Sequence, residues 1–304
     1  MTDITTIKKS DILNSELTLN SLYSEFIATL QVKQETIKTY NKGLKNFIKW
    51  SQTKGLKEIN RNDLIEYIKA METEGLKPNT IKLYMASLKA FYKFLEIQYN
   101  IKDITKGLKT PKINTEFKKD ALTGSQVKDL IRSIDNIRDK IIILLGVTCG
   151  LRTAEISKLD IKDLETKAGT PILWVLGKAR DEKEFIILPD KLYKIILEYL
   201  SNRTDENPAL ILGTSNNSSG RLATGSISWI IKTHLRQIGL NSDRLTAHSL
   251  RHTAITQSLL NGNSLRETQI MARHKNINTT LIYAHDLNKL NNKCSNSIMN
   301  NLDI

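Results

Sequence analysis

Hydrophobic residues recur at helical spacing over most of the first hundred positions. The string TIKxYxxxLKxF begins at Thr36 and returns at Thr80, 44 residues later. In each copy the apolar residues fall at i, i+3, i+7 and i+10, which is one face of an α-helix, and the lysines fall off that face. The pattern predicts amphipathic helices in a small bundle over residues 17–105, preceded by a polar, disordered segment at residues 1–16.

The pattern changes twice in the rest of the chain. Over residues 106–120 the helical spacing disappears and lysines gather around Gly107 and Pro111, which predicts a basic linker. Residues 121–304 then read as a second domain. Its apolar run Ile141–Val147 predicts a buried helix, and the β-branched and aromatic runs at 172–176 and 185–188 predict an antiparallel hairpin.

Local signals mark helix starts and breaks in this second domain. Thr123 is a predicted N-cap, and Ser264 with Glu267 has the spacing of a capping box. From Leu192 onward the pattern is helical, with breaks at the Asn/Ser/Gly-rich stretch 214–220 and at Gly262. The predicted fold class is therefore mainly α: a helical N-terminal domain, then a mixed α/β domain that is mostly helical with a small antiparallel sheet.

Composition describes an ordinary globular protein of 304 residues, 40% hydrophobic and 25% charged. No apolar run approaches the ~18 residues of a membrane span, and the first residues lack the apolar stretch of a signal peptide. Cys149 and Cys294 show neither a disulfide framework nor metal-site spacing. These features favour the reducing cytoplasm and exclude a membrane protein.

The chain is strongly basic, with a formal net charge of +13 and a pI near 9.5. That balance favours nucleic acid as the partner. A chain rich in Lys, Ile and Asn is also typical of an AT-rich genome, so part of the lysine excess has codon bias as its alternative explanation. Residues 1–120 hold 21 Lys and Arg against 14 Asp and Glu, so both parts of the chain carry positive charge.

Short strings carry side chains suited to phosphate chemistry. Arg152 lies in TCGLRTAE, and His248 and Arg251 lie in HSLRHT, at i and i+3 on one helical face. His274 follows 23 residues after Arg251, and Tyr283 nine residues later in NTTLIYAH. Guanidinium groups bind phosphate oxygens in bidentate fashion, histidines donate to the same oxygens or move protons, and a tyrosine can hold a broken strand as an ester. Together these residue types can break a phosphodiester without metal or water.

These strings, in this order, resemble the tyrosine recombinase (phage integrase) family over about residues 17–290. The resemblance implies an N-terminal core-binding domain of SAM-like helical fold, whose last long helix opens at Lys77 and Pro78. It implies a catalytic domain over 121–304 that ends in a tail helix. Each string by itself is less specific, since an Arg-x-x-Glu pair is usually a surface ion pair.

The resemblance also implies a role for each candidate. Arg152 and Arg251 grip the scissile phosphate, and His274 helps to stabilise the pentacoordinate state. His248 accepts or donates a proton near the nucleophile. Tyr283 attacks phosphorus in line, forms a 3′-phosphotyrosine and expels a 5′-hydroxyl, with no metal, nucleotide or other cofactor.

A lysine at the hairpin is implied as the general acid that protonates the departing 5′ oxygen. Lys178, after Gly177 at the end of the first strand, matches that position. The stretch GKARDEK is longer than the family's usual Gly-Lys-Gly turn, so Lys183 remains a competing candidate. A merely solvated lysine is the structural alternative.

One string departs from the family's pattern. The family usually has Leu-Gly before the histidine of this box, whereas Ala272 and Arg273 precede His274 here. If a tight helix end requires glycine there, arginine must adopt that backbone at a cost. Glu155 is implied to help order the site, and His252, on another helical face, is expected to be structural.

The implied partner is double-stranded DNA. The lysines beside the apolar faces of the N-terminal bundle are expected to contact it, although solvated lysines on ordinary amphipathic helices are the alternative. The candidates are Lys38, Lys45, Lys77, Lys82 and Lys89.

The resemblance implies site-specific recombination through a Holliday junction, by a tetramer on two DNA sites. The short segment before the bundle favours an Xer-like or simple-integrase layout. The apolar stripe Leu287, Leu290, Cys294, Ile298 and Leu302 is expected to dock into a neighbouring subunit, with packing on its own domain as the alternative. Integration or excision of a mobile element, resolution of DNA multimers, and an activating partner protein all stay open.

Two other classes stay open at this point. A type IB topoisomerase shares the chemistry but relaxes supercoils as a monomer. A catalytically silent DNA-binding factor would lack one of the catalytic residues.

Overall fold

The structure is a computed structural model that describes residues 18–56, 58–112, 120–177, 181–213 and 220–290, with positions 299 and 302; over 285–290 the description is of the backbone alone. The chain divides into two compact units, Met1–Glu116 and Phe117–Ile304. We call them the N-terminal and C-terminal units. The mainly α fold class with a small antiparallel sheet is confirmed.

The described part of the N-terminal unit is a bundle of helices: α1 (Leu19–Thr29), α2 (Gln34–Thr53), α3 (Arg61–Thr73) and α4 (Pro78–Tyr99). The two copies of the repeated string lie on α2 and α4, so both predicted helices are confirmed. The apolar positions of the repeat face the core: Leu44 and Phe47 are buried on α2, and Leu88 and Phe91 on α4. Proline at the first position of α4 begins that helix without losing a hydrogen bond.

Helices α2 and α4 approach each other closely at Gly43. A Cβ at Gly43 would lie 3.1 Å from Cα of Tyr84 and would also collide with the hydroxyl of Ser87. Ser87 is fully buried, and its Oγ donates to the backbone oxygen of Tyr84 at 2.6 Å, so it cannot turn away without losing that bond. The absence of a side chain at Gly43 therefore sets the spacing of the bundle.

We expect Gly43→Ala to lower the free energy of unfolding of the N-terminal unit by about 1–3 kcal/mol, because it overpacks this contact. In most helices the same change raises stability, since glycine is the poorer helix former. Gly225→Ala, in α9 (Thr224–Gln237), is the control, because its Cβ would meet open space. Chemical denaturation of both variants tests the sign, and an equal or greater stability of Gly43→Ala would contradict the prediction.

The C-terminal unit is built on α6 (Ile137–Cys149), whose residues Ile141, Ile142, Ile143 and Leu145 have no exposed surface. The predicted buried helix is thus confirmed. The described helices around it are α5 (Gly124–Arg132), α7 (Thr153–Ser157), α8 (Asp190–Ser201), α9, α10 (Ala247–Leu260), α11 (Leu265–Ala272) and α12 (Asn278–Leu290). The predicted cap at Thr123 and the predicted capping box of Ser264 with Glu267 are both present.

A three-stranded antiparallel sheet lies beside these helices, in the order β1 (Leu164–Lys167), β2 (Thr170–Leu176), β3 (Lys183–Ile187). The predicted hairpin of β2 and β3 is confirmed, with Trp174 opposite Phe185. Strand β1 was not predicted, since its sequence LETK lacks an apolar alternation. It pairs through a two-residue turn in which Ala168 and Gly169 both have positive φ, the geometry that suits a tight hairpin.

Helix α10 packs on α6 at a glycine. A Cβ at Gly146 would lie 3.0 Å from Cβ of Leu250, so the two backbones meet with little between them. Leu250 is fully buried, and so is the next residue, Arg251. Among the described residues, no helix combines the length and the apolar character needed to cross a bilayer.

Candidate active site

Arg152 lies in the turn between α6 and α7. Helix α6 ends because Gly150 adopts a left-handed conformation, with φ of 61°. Arg152 then becomes the N-cap of α7. Glu155 accepts the backbone N–H of Arg152 at 2.9 Å and its Nη1 at 2.6 Å. The side chain of Glu155 is 2% exposed and that of Arg152 is 26% exposed. Arg152 is therefore anchored by a buried carboxylate while part of its own side chain remains accessible to solvent.

Arg251 lies buried close to Arg152. It is 1% exposed, and its Nη1 donates to the backbone oxygen of Gly150 at 2.5 Å while its Nη2 donates to that of Ala272. Burial, with the nearby charges of Arg152 and Arg273, lowers the pKa of Arg251 to about 9. That value remains above neutral pH, so the group is a cation under physiological conditions.

His274 follows the end of α11 and faces the arginines. Its Nδ1 lies 2.8 Å from Oγ1 of Thr280, a fully buried residue of α12. Burial, followed by the positive charges of Arg251 and Arg152, lowers the pKa of His274 to about 4. The ring is therefore neutral at pH 7 and carries one N–H donor.

Tyr283 lies on α12, 6% exposed, against a small apolar cluster that includes Ile255 and Ala272. The edge of its ring contacts His252, with centroids 4.7 Å apart, and His274 stacks on it at 6.4 Å. Burial raises the pKa of the phenol.

The charges of Arg251 and Arg152 act in the opposite direction on that pKa. The phenol therefore lies within electrostatic range of both guanidinium groups. The structure thus brings four residues to one place: Arg251 and Tyr283 from helices α10 and α12, Arg152 from the turn before α7, and His274 from the segment after α11.

His248 lies on the first turn of α10 and is exposed. Its charge contributes to the low pKa of His274, which places it at the rim of the same cluster. It lines a groove of about 330 Å³ together with Thr153, Ser228, Lys232, Thr246 and Ala247.

Acid should destabilise the free protein through His274. Between its folded pKa of about 4 and its ordinary 6.5, the unfolded chain binds a proton that the folded chain does not. The stabilisation is complete above pH 6.5 and is lost as the pH falls toward 4. Because the ring is half-buried, we expect a loss of about 1–2 kcal/mol. Denaturation of wild type and His274→Gln from pH 7.5 to 4.5 tests this, and equal pH dependence in the two proteins would refute it.

Comparison with known proteins gives these residues a family. Residues 120–289 match the phage integrase family, and residues 21–98 match the N-terminal SAM-like domain of phage integrases. The chain belongs to the phage integrase family. It is a site-specific tyrosine recombinase, an enzyme that transfers DNA strands.

Two curated relatives are similar over most of the recombinase. Tyrosine recombinase XerA of Pyrococcus furiosus is 31% identical over 274 residues, which cover 88% of this chain and 91% of the relative. Tyrosine recombinase XerC of Herpetosiphon aurantiacus is 30% identical over 281 residues, with 86% and 89% covered.

Solved structures share the fold. The XerH site-specific recombinase bound to palindromic difH substrate, in a post-cleavage complex, superposes with a TM-score of 0.72 at 21% identity, covering 92% of this chain and 84% of that one. A lambda integrase dimer bound to a COC′ core site gives a TM-score of 0.70 at 17% identity, covering 88% and 77%.

Of the two candidate lysines of the hairpin, only Lys183 lies among the described residues. Lys178 lies outside the described residues. Lys183 is ion-paired with Asp163, which is 5% exposed, and its Nζ is 4.0 Å from Asp160. Arg221 binds the other oxygen of Asp160 at 2.5 Å. Lys183 therefore belongs to an ion-pair network with Asp163, Asp160 and Arg221, and the choice between the two lysines as general acid stays a prediction.

The expected DNA-binding lysines of the recombinase are all exposed on the N-terminal unit: Lys38, Lys45, Lys77, Lys82 and Lys89. Lys38 pairs with Glu35 at 2.8 Å, but both side chains are largely in solvent, where such a pair is weak and exchangeable. Lys89 reaches the backbone oxygen of Leu108 at 3.4 Å. Their contact with DNA stays a prediction.

Sequence reasoning missed two contributors to this region. Lys232 of α9 lines the groove beside His248, and nothing in its local string distinguished it from other surface lysines. Arg273 is buried inside the cluster and binds Glu155. Its sequence signal was the departure from Leu-Gly before His274, which was taken only as a backbone cost.

Proposed function

We propose that this recombinase cleaves DNA by in-line attack of the Tyr283 hydroxyl on the scissile phosphorus. The attack forms a 3′-phosphotyrosine and frees a 5′-hydroxyl. The observation that carries the proposal is the packing of Tyr283 beside the other candidates. Its ring stacks on His274 and lies in one cluster with Ala272, whose backbone oxygen accepts Nη2 of Arg251. The bond energy is kept in the ester, so a 5′-hydroxyl from a partner duplex reseals the strand by the reverse reaction.

The two arginines meet the phosphate as it gains negative charge. Arg152, open above its carboxylate partner, takes non-bridging oxygens directly, and Arg251 supplies a second fixed cation below. Because both are held by contacts that already exist in the free protein, little reorganisation accompanies the transition state. Preorganised donors of this kind contribute about 100–1,000-fold each to a rate.

The two histidines have different roles: His274 donates a hydrogen bond to the phosphate, and His248 accepts a proton. We assign the Thr280 hydroxyl as donor to Nδ1 of His274, which leaves the proton of the neutral ring on Nε2. That N–H then donates to a non-bridging oxygen. His248, exposed at the groove, accepts the proton of Tyr283, whose phenol is otherwise protonated near neutral pH. Lys178 donates a proton of its own ammonium group to the leaving 5′ oxygen.

The groove beside His248 suits the DNA backbone next to the cleaved position. Thr153, Ser228 and Thr246 supply hydroxyl groups, and Lys232 supplies a cation. Phosphate groups bind such mixtures of hydroxyls and cations without sequence preference. The exposed lysines of the N-terminal unit add further backbone contacts, and the cytoplasm, where such DNA lies, is the proposed compartment.

We propose that four subunits act on two DNA sites and that each C-terminal segment docks on a neighbour. Exposed aliphatic side chains support this: Leu260 (51%), Ile270 (61%) and Ile282 (47%) lie on α10, α11 and α12, the helices around the nucleophile. The lambda integrase neighbour is a dimer on its core site. In the proposed stripe, the side chains of Leu287, Leu290, Cys294 and Ile298 lie outside the described residues, and Leu302 is exposed. An accessory protein that activates this assembly is compatible with the proposal.

The test uses nicked duplexes carrying candidate sites from the neighbourhood of the gene. Cleavage next to a nick releases a short 5′-hydroxyl fragment, so the covalent complex cannot reseal and accumulates. We expect a protein–DNA adduct joined at the 3′ phosphate, and recombinant products with two intact sites. Supercoil relaxation without recombinant product would instead indicate a topoisomerase. Absence of any adduct on every site would overturn the proposal.

A further inference from the structure

Arg273 has a backbone conformation that residues other than glycine rarely adopt. At the C-terminal end of α11 its φ is 54° and its ψ is 41°, in the left-handed region. An L-residue pays for this geometry because its Cβ approaches the following carbonyl oxygen. Glycine would take the same conformation with almost no strain.

The side chain is equally costly to place. The guanidinium is 2% exposed and its buried Nε has no acceptor among the described residues. A desolvated cation, even when paired, adds little net stability compared with an apolar residue of similar size. Strain and burial together therefore argue that stability alone does not account for an arginine at this position.

The contacts of Arg273 converge on the supports of Arg152. Its Nη2 lies 2.8 Å from Oε2 of Glu155. The same oxygen accepts the backbone N–H of Arg152 at 2.9 Å, while Oε1 accepts Nη1 of Arg152 at 2.6 Å. Glu155 thus stands between two guanidinium groups, and its orientation depends on both.

Arg273 also contacts the support of Arg251. The backbone oxygen of Gly150 accepts Nη1 of Arg251 at 2.5 Å and Nη2 of Arg273 at 3.4 Å. Nη1 of Arg273 reaches the backbone oxygens of Cys149 at 3.3 Å and Met271 at 2.9 Å. The side chain therefore ties the end of α11 to the end of α6.

The charges explain why such a residue is useful. Without Arg273, the carboxylate of Glu155 would offset one of the two cations that face the phosphate. With Arg273, the negative charge of Glu155 is shared with a buried cation that does not itself face solvent. The phosphate then meets Arg152 and Arg251 with their charges largely uncompensated.

We propose that Arg273 is a positioning residue of strand transfer: it fixes Glu155, which orients Arg152, and it offsets the charge of Glu155. The inference rests on the phosphate-binding roles proposed for Arg152 and Arg251. It assigns Arg273 no contact with DNA.

The decisive variant is Arg273→Gly, because it removes the side chain and relieves the backbone. We expect its thermal stability to be close to that of wild type and its affinity for duplex to be unchanged. Single-turnover cleavage of the nicked duplex should be about 10–100-fold slower than with wild type. Loss of a residue that orients a directly acting residue commonly has an effect of this size. Arg273→Lys, which keeps the charge but not the fork, should fall between the two.

Glu155→Gln separates positioning from a general structural role. If Arg273 acts through Glu155, the double variant Glu155→Gln with Arg273→Gly will cleave no more slowly than the slower single variant. Independent structural damage would instead multiply the two losses, and that outcome overturns the inference. A cleavage rate of Arg273→Gly equal to that of wild type also overturns the inference. If Arg273→Gly does not fold, the same cycle is run with Arg273→Lys and judged by the same criterion.

The proposed function is checked in the same assay by wild type. No adduct with wild type refutes the proposed function itself. An adduct with wild type, together with full activity of Arg273→Gly, refutes only the role of Arg273.

Discussion

We expect Tyr283→Phe to form no covalent complex with a nicked duplex, while its affinity for the uncut site stays within about twofold of wild type. The variant loses one oxygen atom, which is the nucleophile in the proposed reaction. Its ring keeps the packing against His252 and His274, so the fold of α12 is retained. Denaturing gel electrophoresis with labelled DNA measures the adduct, and gel shift measures binding.

Tyr193→Phe is the matched control, because it removes a phenolic oxygen from a partly buried tyrosine of α8, in the same unit. We expect it to form the adduct at the wild-type rate. A normal adduct with Tyr283→Phe would show that another residue is the nucleophile. Loss of DNA binding in that variant would show that the phenol serves affinity instead.

Arg251→Lys is expected to slow cleavage by about 100–1,000-fold. The guanidinium group of Arg251 donates to two carbonyl oxygens through separate nitrogens of one rigid plane. The ammonium group of lysine carries the same charge on a single nitrogen, so it cannot keep both of these hydrogen bonds and also bind the phosphate in the same geometry. Single-turnover rates at saturating protein give the effect free of changes in binding.

Arg203→Lys provides the comparison. Arg203 also donates to backbone oxygens, those of Ala209 at 2.7 Å and Asn207 at 2.8 Å, and its side chain is 7% exposed. It serves the loop after α8, and no active-site contact of Arg203 is described. We expect a modest change in stability and an unchanged cleavage rate. Equal slowing in the two variants would mean that Arg251 acts through stability.

The parts of the molecule that the sequence predicts well are those where local pattern and tertiary role agree. The repeated string gives α2 and α4 because the same apolar face that defines the helix also fills the core. The apolar run in α6 and the caps at Thr123 and Ser264 are signals of the same kind. The order of Arg152, Arg251, His274 and Tyr283 identified the family without any knowledge of their distances.

The parts that were wrong or missing depend on single backbone angles or on distant partners. The end of α6 was not predicted, because it is set by the left-handed φ of Gly150. Strand β1 forms because β2 offers it an edge, which no pattern in LETK reveals. Arg273 shows its role only when Glu155, more than a hundred positions earlier, is seen beside it. Spacing along the chain carries no information of this type.

The anchoring of Arg251 has a consequence for how this enzyme tolerates sequence change. Its two acceptors are carbonyl groups of the main chain, at Gly150 and Ala272, at the ends of α6 and α11. Every amino acid carries that carbonyl, so exchanging the side chain at Ala272 leaves its oxygen in place. Gly150 differs, because a side chain there would be strained by its left-handed φ of 61° and could shift the end of α6. The attachment at α11 is therefore buffered against point mutation during divergence, whereas the attachment at α6 depends on glycine.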